Sequence, residues 1–132
     1  MTTSTSTAPV GNLDAVVDGY FAVWNEMDPT RRRQSIQSTW TEDARYVDPM
    51  FSAVGAEALD ALVAGVHGHY PGHRFRLVGS IDAHNDRARW RWEFFSPAGG
   101  AAIAAGVDFA TLAADRRISE VVGFFEHPQQ AA

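Results

Sequence analysis

Apolar residues recur every three or four positions in the first half of the chain, which is the spacing of one buried helix face. Three such stretches predict helices, which cover Asn12–Met27, Arg31–Trp40 and Gly55–His67. The inner face of the first helix carries Tyr20 and Trp24 one turn apart. Asp28 and Pro29 supply an N-cap and a first-turn proline for the second helix. A short strand at Ala44–Asp48, stopped by the proline that follows it, comes before the third helix.

The period of the pattern changes to two from His73 onward, which predicts strands. The clearest is Arg87–Phe95, in which Ala88, Trp90, Trp92 and Phe94 alternate with charged residues. The predicted strands of this half cover Phe75–Ile81, Arg87–Phe95, Ala101–Leu112 and Arg117–Glu126. Helices followed by a meander of strands predict an α+β fold, with three helices covering one face of an antiparallel sheet. Long strands with glycines at Gly106 and Gly123 can curl into a cone with an interior.

The length of 132 residues is enough for one domain with one core. We expect a disordered tail over residues 1–11, the domain over residues 12–127 and a short tail over residues 128–132. The formal net charge of −5 disfavours a nucleic-acid partner or an anionic membrane surface. The first residues have neither the basic end nor the apolar core of a secretory signal, so the expected location is the cytoplasm.

The basic residues and the cysteine count exclude several kinds of chemistry. All eleven basic residues are arginines, which excludes a lysine Schiff base and a Walker-type phosphate loop. The chain has no cysteine, which excludes disulfides, thiolate nucleophiles and cysteine-ligated metals.

Asp108 is the single ionisable side chain between Phe94 and Ala114, and small residues on its strand face leave open space beside the carboxylate. A buried acid either has a partner that neutralises it or has a raised pKa. A raised pKa is one way to build a general acid, a general base or a hydrogen-bond donor. The structural alternative is a pairing with an arginine such as Arg74 or Arg76, and the local sequence leaves both open.

Asp48 and Tyr20 are two further candidates. Asp48 ends the short strand and shares a face with Tyr46. It is either a turn aspartate before Pro49 or an acid that faces a pocket. Tyr20 is a phenol on an apolar helix face and needs a hydrogen-bond partner. That partner is either a backbone carbonyl or a substrate oxygen.

Large aromatic side chains either fill the core or line a pocket for a flat, apolar ligand. The candidate substrate-binding residues are Trp40, Tyr46, Phe51, Trp90, Trp92, Phe94 and Phe125. His67, His69 and His73 form a cluster, but their spacing matches no standard zinc pattern and the segment is broken by glycines. We therefore expect no metal site.

The motifs that carry a family resemblance extend from Leu13 to Glu126. They are Tyr20, the Tyr46-Val47-Asp48-Pro49 segment, Gly55, the run from Gly106-Val107-Asp108-Phe109 to Ile118, and Gly123-Phe124. With these motifs the chain resembles the nuclear transport factor 2-like superfamily, in its polyketide-cyclase (SnoaL-like) group. The resemblance implies a cone-shaped fold in which three helices pack on a strongly curved antiparallel sheet around a deep pocket. It also implies a homodimer through the outer face of the sheet.

The ketosteroid isomerase branch of this superfamily implies a role for each candidate. Its general base lies in an acid-proline step, where Asp48 falls, and its oxyanion-hole tyrosine lies on the first helix, where Tyr20 falls. Its protonated aspartic acid lies on the penultimate strand, where Asp108 falls. The polyketide cyclases instead use a single sheet aspartate as acid and base, and Asp108 is the candidate.

The reaction implied by the resemblance is proton transfer next to a carbonyl group of an apolar small molecule, without cofactor or metal. Isomerisation of a double bond and aldol cyclisation both pass through the enolate that such a transfer forms. A non-catalytic module that binds an apolar small molecule, and a protein-interaction domain, are the alternatives of other classes.

Overall fold

A computed structural model of the chain describes residues 7–126. The helices are α1 (Thr7–Asn25), α2 (Pro29–Thr39) and α3 (Ala56–His69). The strands are β1 (Trp40–Val47), β2 (Ser52–Val54), β3 (Arg74–His84), β4 (Arg87–Phe95), β5 (Ala104–Leu112) and β6 (Ile118–Glu126). Helix α1 begins at Thr7 rather than Asn12. The helix tolerates Pro9 because this residue lies in the first turn, where a backbone N–H would have no helical partner. Of the predicted tails, residues 1–6 of the first and residues 128–132 lie outside the described residues, whereas residues 7–11 belong to α1.

The six strands form one curved, unclosed sheet in the order β2-β1-β6-β5-β4-β3, and the three helices pack against it. Every neighbouring pair is antiparallel except β1 and β6, which run parallel. After β1 the chain forms β2, α3, β3, β4 and β5. Strand β6 then lies beside β1 and runs in the same direction. The predicted α+β cone is confirmed, and the sheet is mixed at this one pair.

The junction of α2 and β1 differs from the prediction. Trp40, predicted to end the second helix, has an extended backbone (φ −116°, ψ 150°) and begins β1, while its N–H caps the carbonyl of Ile36. The strand then runs to Val47 and is longer than predicted. An irregularity in the pairing with β6 between Trp40 and Arg45 breaks the period-two pattern over the first half of the strand.

Other strand boundaries shift where the backbone turns or bulges. Strand β5 starts at Ala104 rather than Ala101, after a turn in which Gly99 and Gly100 have positive φ. Strand β3 extends to His84 through a register shift that contains Gly79, at φ 74°. The three-residue strand β2 was not predicted, because it is too short to show a period.

The outer face of the sheet exposes two aromatic rings. Phe109 and Phe124 are 40% and 53% exposed and pack edge to face, with their ring centroids 5.9 Å apart. A homodimer through this face stays a prediction. No helix among residues 7–126 is long and apolar enough to cross a lipid bilayer.

Strand β4 alternates as predicted, with its tryptophans, Ala88 and Phe94 facing inward and its arginines outward. Trp92 pairs with Gly106 of β5, and its indole ring lies across the space where a Gly106 side chain would be. A Cβ at Gly106 would touch that ring and would lie 2.5 Å from the carbonyl oxygen of Phe124. The glycine therefore lets the indole lie flat on the sheet.

Replacing Gly106 with Ala is expected to destabilise the protein by about 2–3 kcal/mol, because the new methyl group would overlap a backbone oxygen that cannot move alone. Urea unfolding measures the change. Gly68→Ala in α3 is the matched control, since its Cβ would meet nothing within 4 Å and alanine favours a helix. Equal loss of stability in both variants would contradict the packing argument.

Candidate functional site

A cavity of about 830 Å³ opens between the helices and the inner face of the sheet. Its volume lies within the range of small-molecule sites. Most of its wall is aromatic and aliphatic. Its side chains with polar groups other than indole are Tyr20, Tyr46, Asp48, Ser52, His69, Tyr70 and Asp108. The three predicted catalytic residues, Tyr20, Asp48 and Asp108, thus line one cavity.

Asp108 lies on the inner face of β5 and is 3% exposed. The hydroxyl group of Tyr20 donates to Asp108 Oδ2 at 2.6 Å, and Trp92 Nε1 donates to Asp108 Oδ1 at 3.2 Å. Asp108 is therefore not paired with an arginine, and Arg76 instead forms an ion pair with Glu93. The hydroxyl of Tyr20, for its part, is bonded to a carboxyl group rather than to a backbone carbonyl.

Burial raises the pKa of Asp108 from 3.8 to about 7, and the negative charge of Asp48 adds to the rise. The hydrogen bonds from Tyr20 and Trp92 act in the opposite direction, because they favour the ionised form, but they are outweighed. Burial first, and then the charge of Asp108, raise the pKa of Tyr20 well above its ordinary value. Near neutral pH Asp108 thus exists in both protonation states, next to a phenol that keeps its proton.

Asp48 follows β1 and combines the two roles that the sequence left open. Its Oδ1 accepts hydrogen bonds from the backbone N–H groups of Met50 and Phe51, both at 2.8 Å, which is the bonding of a turn aspartate. Its Oδ2 accepts a hydrogen bond from the Tyr46 hydroxyl at 2.6 Å. The side chain is half-buried and lines the cavity. The turn therefore holds an acid in position at the cavity wall.

Gly123 of β6 lies between the two acids. A Cβ at this position would lie 2.7 Å from Asp108 Oδ1, 3.3 Å from Asp48 Cβ and 3.7 Å from Tyr46 Oη. Strand pairing explains this, since Gly123 is opposite Asp108 in β5 and follows the residue opposite Val47 in β1. The missing side chain lets the two acids, each bonded to its own tyrosine, approach a common point.

Five of the predicted substrate-binding residues line the cavity, namely Tyr46, Phe51, Trp92, Phe94 and Phe125. Trp40 and Trp90 do not line it, contrary to the prediction. Both are 1% exposed and pack against Tyr20, with ring centroids 5.7 Å and 4.9 Å from the phenol ring. They form the core behind Tyr20, where they exclude water from the Tyr20–Asp108 pair.

Sequence reasoning missed several residues of the cavity wall. Trp24 lies one turn after Tyr20 and packs on Tyr46 and Phe75, with ring centroids 5.4 Å and 5.3 Å apart. Its helical spacing from Tyr20 was the available signal. The other missed residues are Phe21, Met50, Ser52, Ala58, Ala61, Leu62, Gly65, Val66, His69, Tyr70, Phe75, Ile103 and Ala104. Most come from α3 and from loops at the mouth, where no pattern in the sequence marks a pocket.

The histidines do not gather as metal ligands. Within residues 7–126 no group of three or more histidine, aspartate or glutamate side chains is arranged to hold a metal ion. His67 Nε2 donates to the carbonyl of Trp24 at 2.9 Å, and burial lowers the pKa of His67 below its ordinary value. His67 therefore ties α3 to α1, while His69 lies at the cavity.

The model of the SnoaL-like domain matches residues 17–121. A proposed isomerase of the SnoaL-like family from Agrobacterium tumefaciens is 35% identical, with a TM-score of 0.83 over 89% of this chain and 99% of that one. Among curated protein sequences, no match is found.

Two more distant structures share the fold. A proposed SnoaL-like polyketide cyclase from Jannaschia sp. CCS1 is 16% identical, with a TM-score of 0.64 and 88% of each chain covered. A hypothetical protein with a ketosteroid isomerase-like fold from Catenulispora acidiphila, in complex with trimethylamine, is 11% identical. Its TM-score is 0.68, with 84% of this chain and 85% of that chain covered. The family match, which spans most of the domain, agrees with the fold and the cavity, and the chain belongs to the SnoaL-like family of the nuclear transport factor 2-like superfamily.

Proposed function

We propose that this protein is a cofactor-independent enzyme that moves a proton next to a carbonyl group of a neutral, apolar small molecule. The observation that carries the proposal is the pair of acids around Gly123, each bonded to a tyrosine, at the wall of one apolar cavity. Two acids in different surroundings can divide the roles of base and hydrogen-bond donor between them. The names of two structural neighbours, a proposed isomerase and a proposed polyketide cyclase, support the same class of reaction.

In the first step, Asp48 removes a proton from the carbon next to the carbonyl. The electrons of the broken C–H bond form a carbon–carbon double bond, and the carbonyl electrons move onto its oxygen. Neutral Asp108 and Tyr20 donate hydrogen bonds to this oxygen as its negative charge develops. Because the Tyr20 hydroxyl bonds Asp108 in the structure, it exchanges that partner for the substrate oxygen.

The second step returns the electrons of the enolate to carbon. In an isomerisation, protonated Asp48 gives its proton to the far end of the conjugated enolate, and the double bond shifts. In an aldol cyclisation, the enolate carbon attacks a second carbonyl of the same molecule, whose oxygen then takes the proton. Both outcomes leave Asp48 and Asp108 as they began, so no external reactant is needed.

The cavity also indicates what kind of molecule fits. Among residues 7–126 no arginine lines it, and the negative charge of Asp48 would repel a carboxylate or a phosphate. The rings of Trp24, Phe75, Trp92 and Phe94 provide flat apolar walls. A neutral compound of fused or extended rings with a carbonyl group is therefore the expected substrate class.

A second candidate is a module that binds an apolar small molecule without converting it. Its support is the largely aromatic wall of the cavity. The neighbour with bound trimethylamine is evidence that another chain of this fold takes a small organic ligand. In this reading the acids and tyrosines only orient the ligand.

Exchange of hydrogen for deuterium next to a carbonyl separates the two candidates. We expect the protein to accelerate this exchange in 2-tetralone, a bicyclic aromatic ketone, dissolved in D₂O and followed by proton NMR. Enolate formation is detected whichever product the natural substrate gives. Binding of 2-tetralone with no acceleration over buffer would contradict the proposed catalysis and favour the binding module.

A further inference from the structure

We propose that Tyr46 is a positioning residue that holds the Asp48 carboxylate so that one particular oxygen, Oδ2, faces the cavity with a free lone pair. The sequence suggested Tyr46 as a contact to substrate. In the structure its hydroxyl proton is directed at Asp48 instead. The use of Asp48 as a base rests on the proposed function, whereas the fixing of its carboxylate by Tyr46 does not.

The bonds to Asp48 distinguish its two oxygens. An ionised carboxylate oxygen has two sites for hydrogen bonds. Both sites of Oδ1 are used by the N–H groups of Met50 and Phe51, each at 2.8 Å. Among residues 7–126, Oδ2 accepts only the Tyr46 hydroxyl at 2.6 Å, which leaves one of its sites free. A proton taken from a ligand would therefore go to Oδ2, the oxygen that Tyr46 holds.

Tyr46 is itself held rigidly. Its side chain lies on the same face of the chain as that of Asp48, two residues away. Its strand is paired on both sides, so that Tyr46 is opposite Ala53 in β2 and Val121 in β6. The residue is 6% exposed, and its ring packs on Trp24. A buried ring between two paired strands cannot swing its hydroxyl group away, so the orientation of Asp48 is set before a ligand arrives.

The surroundings keep the Tyr46 proton in place. Burial first, and then the charges of Asp108 and Asp48, raise the pKa of Tyr46 well above its ordinary value. The other ionisable groups that line the cavity with Asp48 are Tyr20 from α1, Tyr46 from β1, His69 from α3, Tyr70 at the end of α3 and Asp108 from β5, while β6 contributes Gly123 without a side chain beside the two acids. The short bond between Tyr46 and Asp48 is of the charge-assisted kind, which is about twice as strong as a neutral one.

The three tyrosines of the chain provide a matched set of variants. Tyr46→Phe removes the hydroxyl bonded to Asp48, and Tyr20→Phe removes the one bonded to Asp108. Tyr70→Phe removes a hydroxyl from the 45% exposed Tyr70 at the cavity mouth. Each variant keeps its ring and the packing of that ring. The loss of the hydroxyl bonded to Asp48 can therefore be compared with the loss of a tyrosine hydroxyl at two other positions.

The experiment is a pH titration of the aspartate carboxyl carbons by carbon-13 NMR, on protein without any ligand. The Asp48 and Asp108 signals are assigned by their absence from Asp48→Asn and Asp108→Asn. In Tyr46→Phe we expect the proton affinity of Asp48 to rise roughly tenfold, because its ionised form loses a donor. In Tyr20→Phe the proton affinity of Asp108 should rise instead. Tyr70→Phe should change the proton affinity of neither aspartate.

A second measurement does not depend on the folding of Tyr46→Phe. In the wild-type protein the Tyr46 hydroxyl proton should give a downfield proton resonance, and Asp48→Asn should move it upfield, because the amide removes the charged oxygen that accepts this proton. An unchanged resonance there, or an unchanged Asp48 titration in folded Tyr46→Phe, would overturn the positioning role. Both readouts are made without substrate, so the inference can hold even if 2-tetralone exchange fails, and it can fail even if exchange succeeds.

Discussion

Asp48→Asn is expected to lower the maximal rate of deuterium exchange in 2-tetralone by about 10²–10⁴-fold, the contribution of a positioned general base. An amide cannot take a proton but has nearly the shape of the carboxylate. Its oxygen can still accept the hydrogen bonds from Met50 and Phe51, while its amide nitrogen takes the place of Oδ2 beside the Tyr46 hydroxyl. The affinity for 2-tetralone should therefore change little, and the loss should appear in kcat rather than in KM.

Asp108→Asn is the control that assigns the two acids. If Asp108 serves as a neutral donor, an amide keeps an N–H for the ligand oxygen, and the expected loss is about tenfold, well below that of Asp48→Asn. If Asp108 is instead the base, as in the single-aspartate mechanism, Asp108→Asn becomes the severe variant and Asp48→Asn the mild one. Equal, small losses in both variants would contradict either form of acid–base catalysis.

The second large effect expected is on stability, and it depends on pH. Because the pKa of Asp108 is about 7 in the folded protein and 3.8 ordinarily, the folded state binds a proton that the unfolded state has lost between these values. The free energy of unfolding therefore falls as pH rises through this window, by about 4 kcal/mol in all, and this contribution is flat above it. The stabilisation that comes from keeping Asp108 neutral reaches its full value only at pH below about 3.8.

Urea unfolding at pH 5 and pH 8 measures this effect as a difference between wild type and Asp108→Asn. The wild type should lose roughly 3 kcal/mol more than the variant between these pH values, because an amide does not titrate. Asp115→Asn is the matched control. Backbone and side-chain bonds from Arg117 lower the pKa of the exposed Asp115 below 3.8, so its contribution to stability is lost only in acid and stays constant between pH 5 and pH 8. The curves of wild type and Asp115→Asn should therefore be parallel. Parallel curves for wild type and Asp108→Asn would contradict the raised pKa.

Much of the fold follows from periodicity, because each element buries one face and the spacing of apolar residues records it. The three helices and the inward face of β4 were predicted in this way. The inner face of β5, with Asp108 on it, follows from the same alternation. Where the backbone departs from regular pairing, as between Trp40 and Arg45, the pattern is interrupted and the strand boundary was missed.

Periodicity predicts which face of the sheet a side chain occupies. It does not predict whether an inward-facing side chain packs under a helix or lines the cavity. Trp90 and Trp92 share the inner face of β4, yet Trp90 is opposite Asp108 and packs under Tyr20, while Trp92 is opposite Gly106 and lines the cavity. Which tryptophan meets a ligand depends on the position of α1 over the sheet. That position results from packing between distant segments, and the local sequence does not record it.

The position of both acids beside Gly123 was hidden for the same reason. The resemblance placed Tyr20, Asp48 and Asp108 in one site, and all three line the cavity. The role of Gly123 depends on β6 lying between β1 and β5, with β1 parallel to it. A parallel pair formed across the whole domain leaves no local signal in the sequence.

The hydrogen bond between Tyr20 and Asp108 joins residues that are 88 positions apart. Closing a loop of this length costs chain entropy that no local contact repays, and such contacts slow the folding of a domain. The bond can form only after α1 has docked on a sheet that already includes β5. A partly folded chain consequently lacks the paired acid, and any compound that binds there stabilises the native state alone, by a free energy that grows with the logarithm of its concentration.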